Sequence, residues 1–380
     1  MNDNNIIIGG GPAGIATAIT IKRYGGNCCV LESKQFPRNK ACGGLITAKT
    51  VSLLNILLEN KEAFYREASL LHKVYVSSNR GILFDYHCSV PFYTISRLSL
   101  DNILVEQYKI DNGVIVENCR CINVNQERRI ISTTEGEYNY SKVVIAAGAG
   151  HGIKGIRDSP IRTGLGGMSI VDLDGYKNDG IHLTIGYIKQ GYSWVFPQHG
   201  DSFNVGFAGN LSAQSYQIAL NDMMKRYGVT KQDIVWGRIP INQTPVIKAK
   251  EGLFYIGSSN GMVDSLTGEG IFFAYLSGIS TGLFLVNKIS YNEYIEIMRY
   301  IRFLVRGGTF SSTMLWKYKL LSVLLVLGKH LKKLDSHMTD YLISKYDYNH
   351  YNALLAPIIC YTNLNAPSEK RISTLKEWAV

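Results

Sequence analysis

The sequence has no apolar run long enough to cross a membrane as a helix. Its longest late run, residues 320–327, is far short of the roughly 20 residues that a spanning helix requires. A secretory leader is not expected either, because no Lys or Arg precedes the uncharged stretch 4–21 and glycines interrupt its middle. The seven cysteines, Cys28, Cys29, Cys42, Cys88, Cys119, Cys121 and Cys360, lack the paired CxxC spacing of a structural zinc site. No metal is expected, and a reduced, cytoplasmic compartment is. The net charge of +10 would favour an acidic partner, but no DNA- or RNA-binding motif accompanies it, so nucleic acid is not expected. With 18% charged and 46% hydrophobic residues the chain is not a disordered one. At 380 residues it exceeds the roughly 250–300 that one core usually serves, which implies two or three structural units.

What is present begins at once. Residues 5–8 read as a β-branched strand, Gly9-Gly10-Gly11-Pro12-Ala13-Gly14 as a turn, 15–24 as a helix, and 28–31 as a second strand ending at Glu32. The glycines serve separate mechanical ends. Gly9 permits the tight turn, Gly11 lets a pyrophosphate approach the backbone, and Gly14 lets helix and strand pack closely. The helix start offers unpaired N–H groups to the anion. Glu32, roughly 20 residues on, is positioned to accept from the adenosine ribose. A lone GxGxxG is weak, but strand, helix, second strand and acid here fall in register. The other match, Gly150-His151-Gly152-Ile153-Lys154-Gly155, is followed by no helical pattern and is read as coincidence, leaving no separate NAD domain.

Three further segments carry a resemblance. Phe36-Pro37-Arg38-Asn39-Lys40-Ala41-Cys42-Gly43-Gly44 resembles the Pro-x-x-Lys-x-Cys-Gly-Gly loop of geranylgeranyl reductase-like flavoproteins. Ser96-Arg97-Leu98-Ser99-Leu100-Asp101 resembles the Arg-bearing helix start of the wider p-hydroxybenzoate hydroxylase-fold group. Tyr255-Ile256-Gly257-Ser258-Ser259-Asn260-Gly261, with Thr267-Gly268-Glu269-Gly270-Ile271, resembles that group's second FAD motif. The resemblance implies FAD bound by Gly9, Gly11, Ala13, Gly14, Glu32, Arg38, Cys42, Gly43, Leu45, Arg97, Cys121, Ser258, Gly268, Gly270 and Ile271. Ser258 stands where the family usually has Asp, so one hydroxyl replaces a carboxylate toward the ribityl chain. Cys119 and Cys121 read by themselves as buried apolar residues.

Between residues 164 and 209 the pattern changes to alternating strands with turns near Gly175, Gly180 and Gly200, an antiparallel sheet with one covered face. Within it, Gly191-Tyr192-Ser193-Trp194-Val195-Phe196-Pro197 aligns Tyr192, Trp194 and Phe196 on one strand face. Ordinary core packing would account for such a stripe, but the string resembles the Tyr-x-Trp-x-Phe-Pro signature of geranylgeranyl reductases. That resemblance implies that Tyr192, Trp194, Phe196, Pro197 and Gly206 line an isoprenoid cavity, with Ala208 narrowing it where the family has Gly.

The expected fold is α/β plus α+β. A Rossmann-like FAD-binding domain spans 1–75, 95–163 and 250–288, and an antiparallel substrate domain spans 76–94 and 164–249. A helical region covers 289–364 and a tail 365–380. The implied activity is reduction of isoprenoid C=C bonds, with Cys42 and Tyr192 as candidate proton donors. Electrons would come from NAD(P)H or a ferredoxin-like partner protein. An FAD monooxygenase or halogenase of the same fold is the rival, and a non-catalytic flavoprotein-like subunit a third reading. Residues 317–333 combine an apolar run with flanking lysines, equally suited to a peripheral contact with the inner face of a membrane and to a core helix with snorkelling lysines.

Overall fold

The computed structural model describes residues 4–78, 81–156, 161–186, 188, 190–247 and 252–317. Nearly all of the stretch 317–333 and the whole tail from 365 lie outside the described residues.

The opening unit is β1 (Asn5–Ile8), α1 (Pro12–Arg23) and β2 (Cys28–Leu31). The helix begins inside the glycine motif, three residues before the expected start at 15. Pro12 holds its first turn, where a missing N–H costs nothing. β3 (Leu45–Thr47), α2 (Ala48–Leu57) and α3 (Glu62–Glu67) lead to the long hairpin of β4 (Ser69–Ser78) and β5 (Gly81–Thr94). α4 (Arg97–Ile110) is capped by Ser96, whose Oγ accepts from Ser99 N at 3.0 Å. Then come β6 (Val114–Val116), the meander β7 (Cys121–Asn125), β8 (Ile130–Thr133) and β9 (Gly136–Asn139), and β10 (Lys142–Ile145). A second group follows: β11 (Thr163–Asp172), β12 (Gly180–Ile185), β13 (Gly191–Pro197), β14 (Ser202–Gly209), α5 (Ala213–Tyr227) and β15 (Val235–Pro240). The described chain ends with β16 (Leu253–Tyr255), α6 (Ile271–Leu285) and α7 (Tyr291–Lys317).

The first sheet is wholly parallel, in the order β16-β10-β1-β2-β6. Its central strand β1 is buried on both faces, which is why Ile6, Ile7 and Ile8 need no polar alternation. One face is covered by α1 and α6, which approach closely because Gly278 and Gly282 have no side chains. A methyl group at Gly278 would fall 2.5 Å from Ala13 O, and one at Gly282 2.6 Å from Thr20 Cβ. The small meander lies over the other face, with Cys119, Cys121, Val124 and Ile131 packed on Ile6, Ile8 and Leu31.

The second sheet has the order β15-β11-β14-β13-β12-β4-β5-β3. It is mixed, not purely antiparallel as expected, because β12 runs parallel to β4. It also takes in β3 and all of β4, so it begins earlier in the chain than residue 76. One face of its centre packs beneath α5, through Val195, Val205, Phe207, Leu220 and Met223. The other face carries Trp194, Phe196, Met168 and Ala208 toward the glycine-rich loop after β2. α7 buries Tyr294, Ile297, Met298, Ile301 and Val305 against the α1 and α6 core. Among the described residues no helix is long and apolar enough to cross a membrane.

Candidate cofactor and substrate site

At the carboxyl end of β1 two of the three glycines are held by contacts no other residue could make. Gly9 has φ +105°, and a methyl group there would lie 2.6 Å from Ala146 O. One at Gly14 would lie 1.9 Å from Gly9 O. Gly11 is different: a methyl group there would meet nothing nearer than Arg38 Nη2 at 3.7 Å and Lys40 Nζ at 3.9 Å. Its emptiness faces a cleft bordered by cations, which suits a pyrophosphate approaching the start of α1. Ala13 lies one turn on, in contact distance of Gly257, so the two glycine motifs meet there.

Glu32 is buried and its carboxylate is fully engaged. Oε2 accepts from Gly10 N at 2.8 Å and from Arg38 Nη2 at 3.4 Å, while Oε1 accepts from Lys34 N and Ser33 Oγ, each at 3.1 Å. Cys121 lies nearby on β7, buried, and burial pushes its thiol up to about 12. Its neighbour Cys119 ties this strand to the site by donating its N–H to Glu32 O at 2.8 Å.

Two arginines share one acid. Arg97 donates Nε and Nη2 to the two oxygens of Asp101, both at 2.7 Å, and Arg38 Nη1 reaches Asp101 Oδ2 at 3.1 Å. All three side chains are buried. Burial works against the Arg97 charge, but Asp101 more than offsets it and holds the guanidinium above its ordinary pKa. Arg38 also stacks on Phe36, its Cζ 4.7 Å from the ring centroid. Lys40 stands beside this network without joining it. Its side chain reaches solvent yet lies deep in the cleft, where desolvation and the nearby Arg97 and Arg38 lower its pKa to about 8.

The second motif closes the other side. Gly257–Asn260 forms a 3₁₀ turn after β16, and Gly270 caps α6. Ser258 Oγ lies 3.8 Å from where a Gly270 methyl would be, so Ser258, Gly270 and Ile271 share one corner. Asp264 fastens the intervening turn, accepting from Leu266 N, Thr267 N and Thr267 Oγ1. Glu269 points away from the cleft to Lys49 Nζ at 2.6 Å and Thr47 Oγ1 at 2.9 Å.

The aromatic stripe of β13 has the predicted single face. Trp194 stacks on Phe196 with centroids 5.9 Å apart and 24° between planes, and Tyr192 is 5.9 Å from Trp194. The Cys42-Gly43-Gly44 loop presses on this wall: a methyl group at Gly43 would fall 2.9 Å from Phe196 Cε2. Asn204 bolts the two together, accepting from Trp194 Nε1 at 2.8 Å and donating to Cys42 O at 2.9 Å. Gly44 N points at Cys42 Sγ at 3.4 Å. Tyr192 donates its hydroxyl to Thr267 O at 2.6 Å, and a methyl group at Gly268 would sit 3.3 Å from that oxygen of Tyr192. Burial raises the Tyr192 pKa above its ordinary value, and Asp264 and Cys42 add to the rise. Leu45 and Pro197 lie at the margin, Leu45 half-buried on β3 and Pro197 accepting from Thr94 Oγ1. Gly206 packs against the same wall. A methyl group there would lie 2.4 Å from Trp194 Cζ2, so Gly206 makes room for the indole.

A cleft of about 370 Å³ opens between this loop, the start of α4 and the β11–β14 pair, lined by Lys40, Cys42, Arg97, Met168, Asn204 and Val235 among others. Its volume is in the range of small-molecule sites. Sequence reasoning missed Lys40, Asp101 and Asn204 as site residues. Asp101 was signalled by its i, i+4 spacing from Arg97. Asn204 gave no local signal, since its partners are Cys42 and Trp194.

Known proteins share this fold. The family model described as "Pyridine nucleotide-disulphide oxidoreductase" matches residues 3–176. The chain is 25% identical over 317 residues to a menaquinone reductase of Mycobacterium tuberculosis, covering 73% of this chain and 74% of the relative. It is 29% identical over 178 residues to digeranylgeranylglycerophospholipid reductase 2 of Methanosphaera stadtmanae, covering 45% and 40%. Among solved structures, a geranylgeranyl bacteriochlorophyll reductase-like protein from Thermoplasma acidophilum superposes with TM-score 0.66 at 16% identity, over 81% of this chain and 86% of that one. The halogenase PltM superposes with TM-score 0.64 at 14% identity, over 100% and 96%. These likenesses establish the fold.

Proposed function

We propose that this chain, an FAD-dependent oxidoreductase of the fold shared by geranylgeranyl reductases, flavin monooxygenases and halogenases, saturates C=C bonds of an isoprenoid chain. The observation that carries the reading is the continuous aromatic face of Tyr192, Trp194 and Phe196, packed on Cys42-Gly43-Gly44. An apolar wall with its polar atoms already bonded suits a hydrocarbon chain, which brings no hydrogen-bonding groups of its own. The digeranylgeranylglycerophospholipid reductase among the relatives supports the same substrate class.

The residues present fit FAD. Gly11, the start of α1, Arg38 and Arg97 would border the diphosphate, Glu32 the adenosine, and Ser258, Gly268, Gly270 and Ile271 the flavin half. When bound and reduced, the cofactor supplies a hydride to one carbon of the double bond, and a proton must reach the other. The wall and the loop exclude water and align the chain. For the proton, Cys42 is the stronger candidate. The Tyr192 hydroxyl is committed to Thr267 O and its pKa is raised, both of which oppose proton release. NAD(P)H or a ferredoxin-like protein would reduce the flavin, and a prenyl lipid as substrate accords with a peripheral membrane contact.

The test is anaerobic reoxidation of the dithionite-reduced holoprotein by a polyprenyl substrate. A reductase reoxidises with that substrate and yields a product heavier by two hydrogens per bond in mass spectrometry. A monooxygenase or halogenase, the reading that the PltM superposition favours, reoxidises with oxygen alone. No substrate-dependent change at all would leave a binding subunit.

A further inference from the structure

The cleft contains a cation that the protein leaves unpaired. Among the described residues Lys40 Nζ makes no hydrogen bond and no ion pair. The two carboxylates within electrostatic reach, Asp101 and Glu32, are already spent on Arg97, Arg38 and backbone N–H groups. The amine is flanked by two glycine turns: a methyl group at Gly148 would lie 3.5 Å from Nζ and one at Gly11 3.9 Å. It therefore stands in front of the one open glycine of the turn, at the start of α1.

We propose that Lys40 is the contact that receives the diphosphate of the bound dinucleotide. The inference rests on the flavoprotein reading and adds a residue and a proton to it. The groups facing the amine are Arg38 in its own loop, Arg97 and Asp101 from α4, and Glu32 after β2. Crowded by the two guanidinium groups and desolvated, the free amine has a pKa of about 8. A diphosphate between Lys40 and α1 adds negative charge, raises that value, and so draws a proton onto the amine as it binds. Affinity is then highest below about pH 8 and falls as pH rises above it.

The test uses the full chain stripped of cofactor, with FAD, ADP and riboflavin as probes in fluorescence or calorimetric titration. Lys40→Met is expected to weaken FAD and ADP alike, by about 10- to 100-fold, the scale of one charge-assisted hydrogen bond. Riboflavin binding should be unchanged. Lys40→Arg is expected to keep the affinity and abolish its fall between about pH 7 and pH 9.5, since guanidinium does not titrate there. Wild-type binding should take up protons when measured in buffers of different ionisation enthalpy. Unaltered ADP affinity in Lys40→Met, or an effect on riboflavin alone, overturns the proposal and leaves the flavoprotein reading intact. A wild-type chain that binds neither FAD nor ADP overturns both.

Discussion

Beside the glycine turn the Lys40 amine makes no hydrogen bond or ion pair among the described residues, whereas both polar atoms of the aromatic wall are bonded to the protein: Trp194 Nε1 to Asn204 and Tyr192 Oη to Thr267. The contrast matches the two ligands proposed above. A diphosphate would bring charges to be met, and the exposed Lys40 amine stands where it could meet them. A hydrocarbon brings nothing to bond, so any free donor in its wall would stay unsatisfied in the complex as well. An unfinished polar group therefore marks a polar ligand, and an apolar surface with finished polar atoms marks an apolar one.

The largest expected effect is at the charged end. Asp101→Asn removes the acid that neutralises Arg97 and leaves Arg38 only its longer contact with Glu32, both arginines being buried. Breaking a buried pair by deleting one partner typically costs about 3–5 kcal/mol. Urea unfolding of the cofactor-free protein should register a loss of that size, with FAD affinity falling too. A loss under about 1 kcal/mol would mean that the guanidinium groups find water, and the buried network would be no network at all.

At the aromatic end the corresponding cut is Asn204→Ala. It leaves the Trp194 indole N–H and the Cys42 carbonyl without partners, each worth roughly 1–3 kcal/mol when stranded. Stability should fall by about 2–4 kcal/mol, and with it the alignment of the Cys42 loop on the wall. Measured as kcat against KM for a prenyl substrate, the loss should be mainly in kcat if that alignment positions the double bond.

How much of each end the sequence discloses differs for a physical reason. The glycine turn is a local device: Gly9, Gly14 and the start of α1 meet one another within a few residues, so spacing alone describes the contact. The stripe on β13 is local too, since strand alternation puts Tyr192, Trp194 and Phe196 on one face. What each stripe residue touches is not local. Gly206 reads as cavity-lining, and only the neighbouring strand reveals that the Trp194 indole fills the space it leaves. Tyr192 reads as a free phenol, and its acceptor comes from the turn before α6. The parallel pairing of β12 with β4 is equally hidden, because those strands are joined across most of the nucleotide domain. Lys40 is visible in the sequence, but its lack of a partner is a property of the arginines around Asp101.

Tyr192→Phe sharpens the comparison further, with a smaller effect. It deletes the hydroxyl that ties β13 to the turn before α6, leaving Thr267 O without that donor. A loss of about 1 kcal/mol in stability is expected from one hydrogen bond. Turnover should fall less than about tenfold, while Cys42→Ser should lower it more. If Tyr192→Phe instead abolishes turnover and leaves substrate affinity and stability unchanged, the tyrosine is a proton donor after all.

The smallest effect separates the two ends by pH alone. In the cofactor-free fold the Lys40 pKa of about 8 lies below the value near 10.4 of an unfolded lysine. Between those values the unfolded chain binds more protons than the folded one, so stability from this group rises as pH rises through that window. With the diphosphate bound the folded pKa is raised, and the rise should shrink or reverse. Tyr192 contributes nothing below about pH 10, because burial has moved its ionisation above the ordinary range. The stability difference between wild type and Lys40→Met, followed from about pH 7.5 to pH 10 with and without ADP, should therefore slope in the empty protein and flatten or invert in the complex. The same difference taken for Tyr192→Phe should stay level in both.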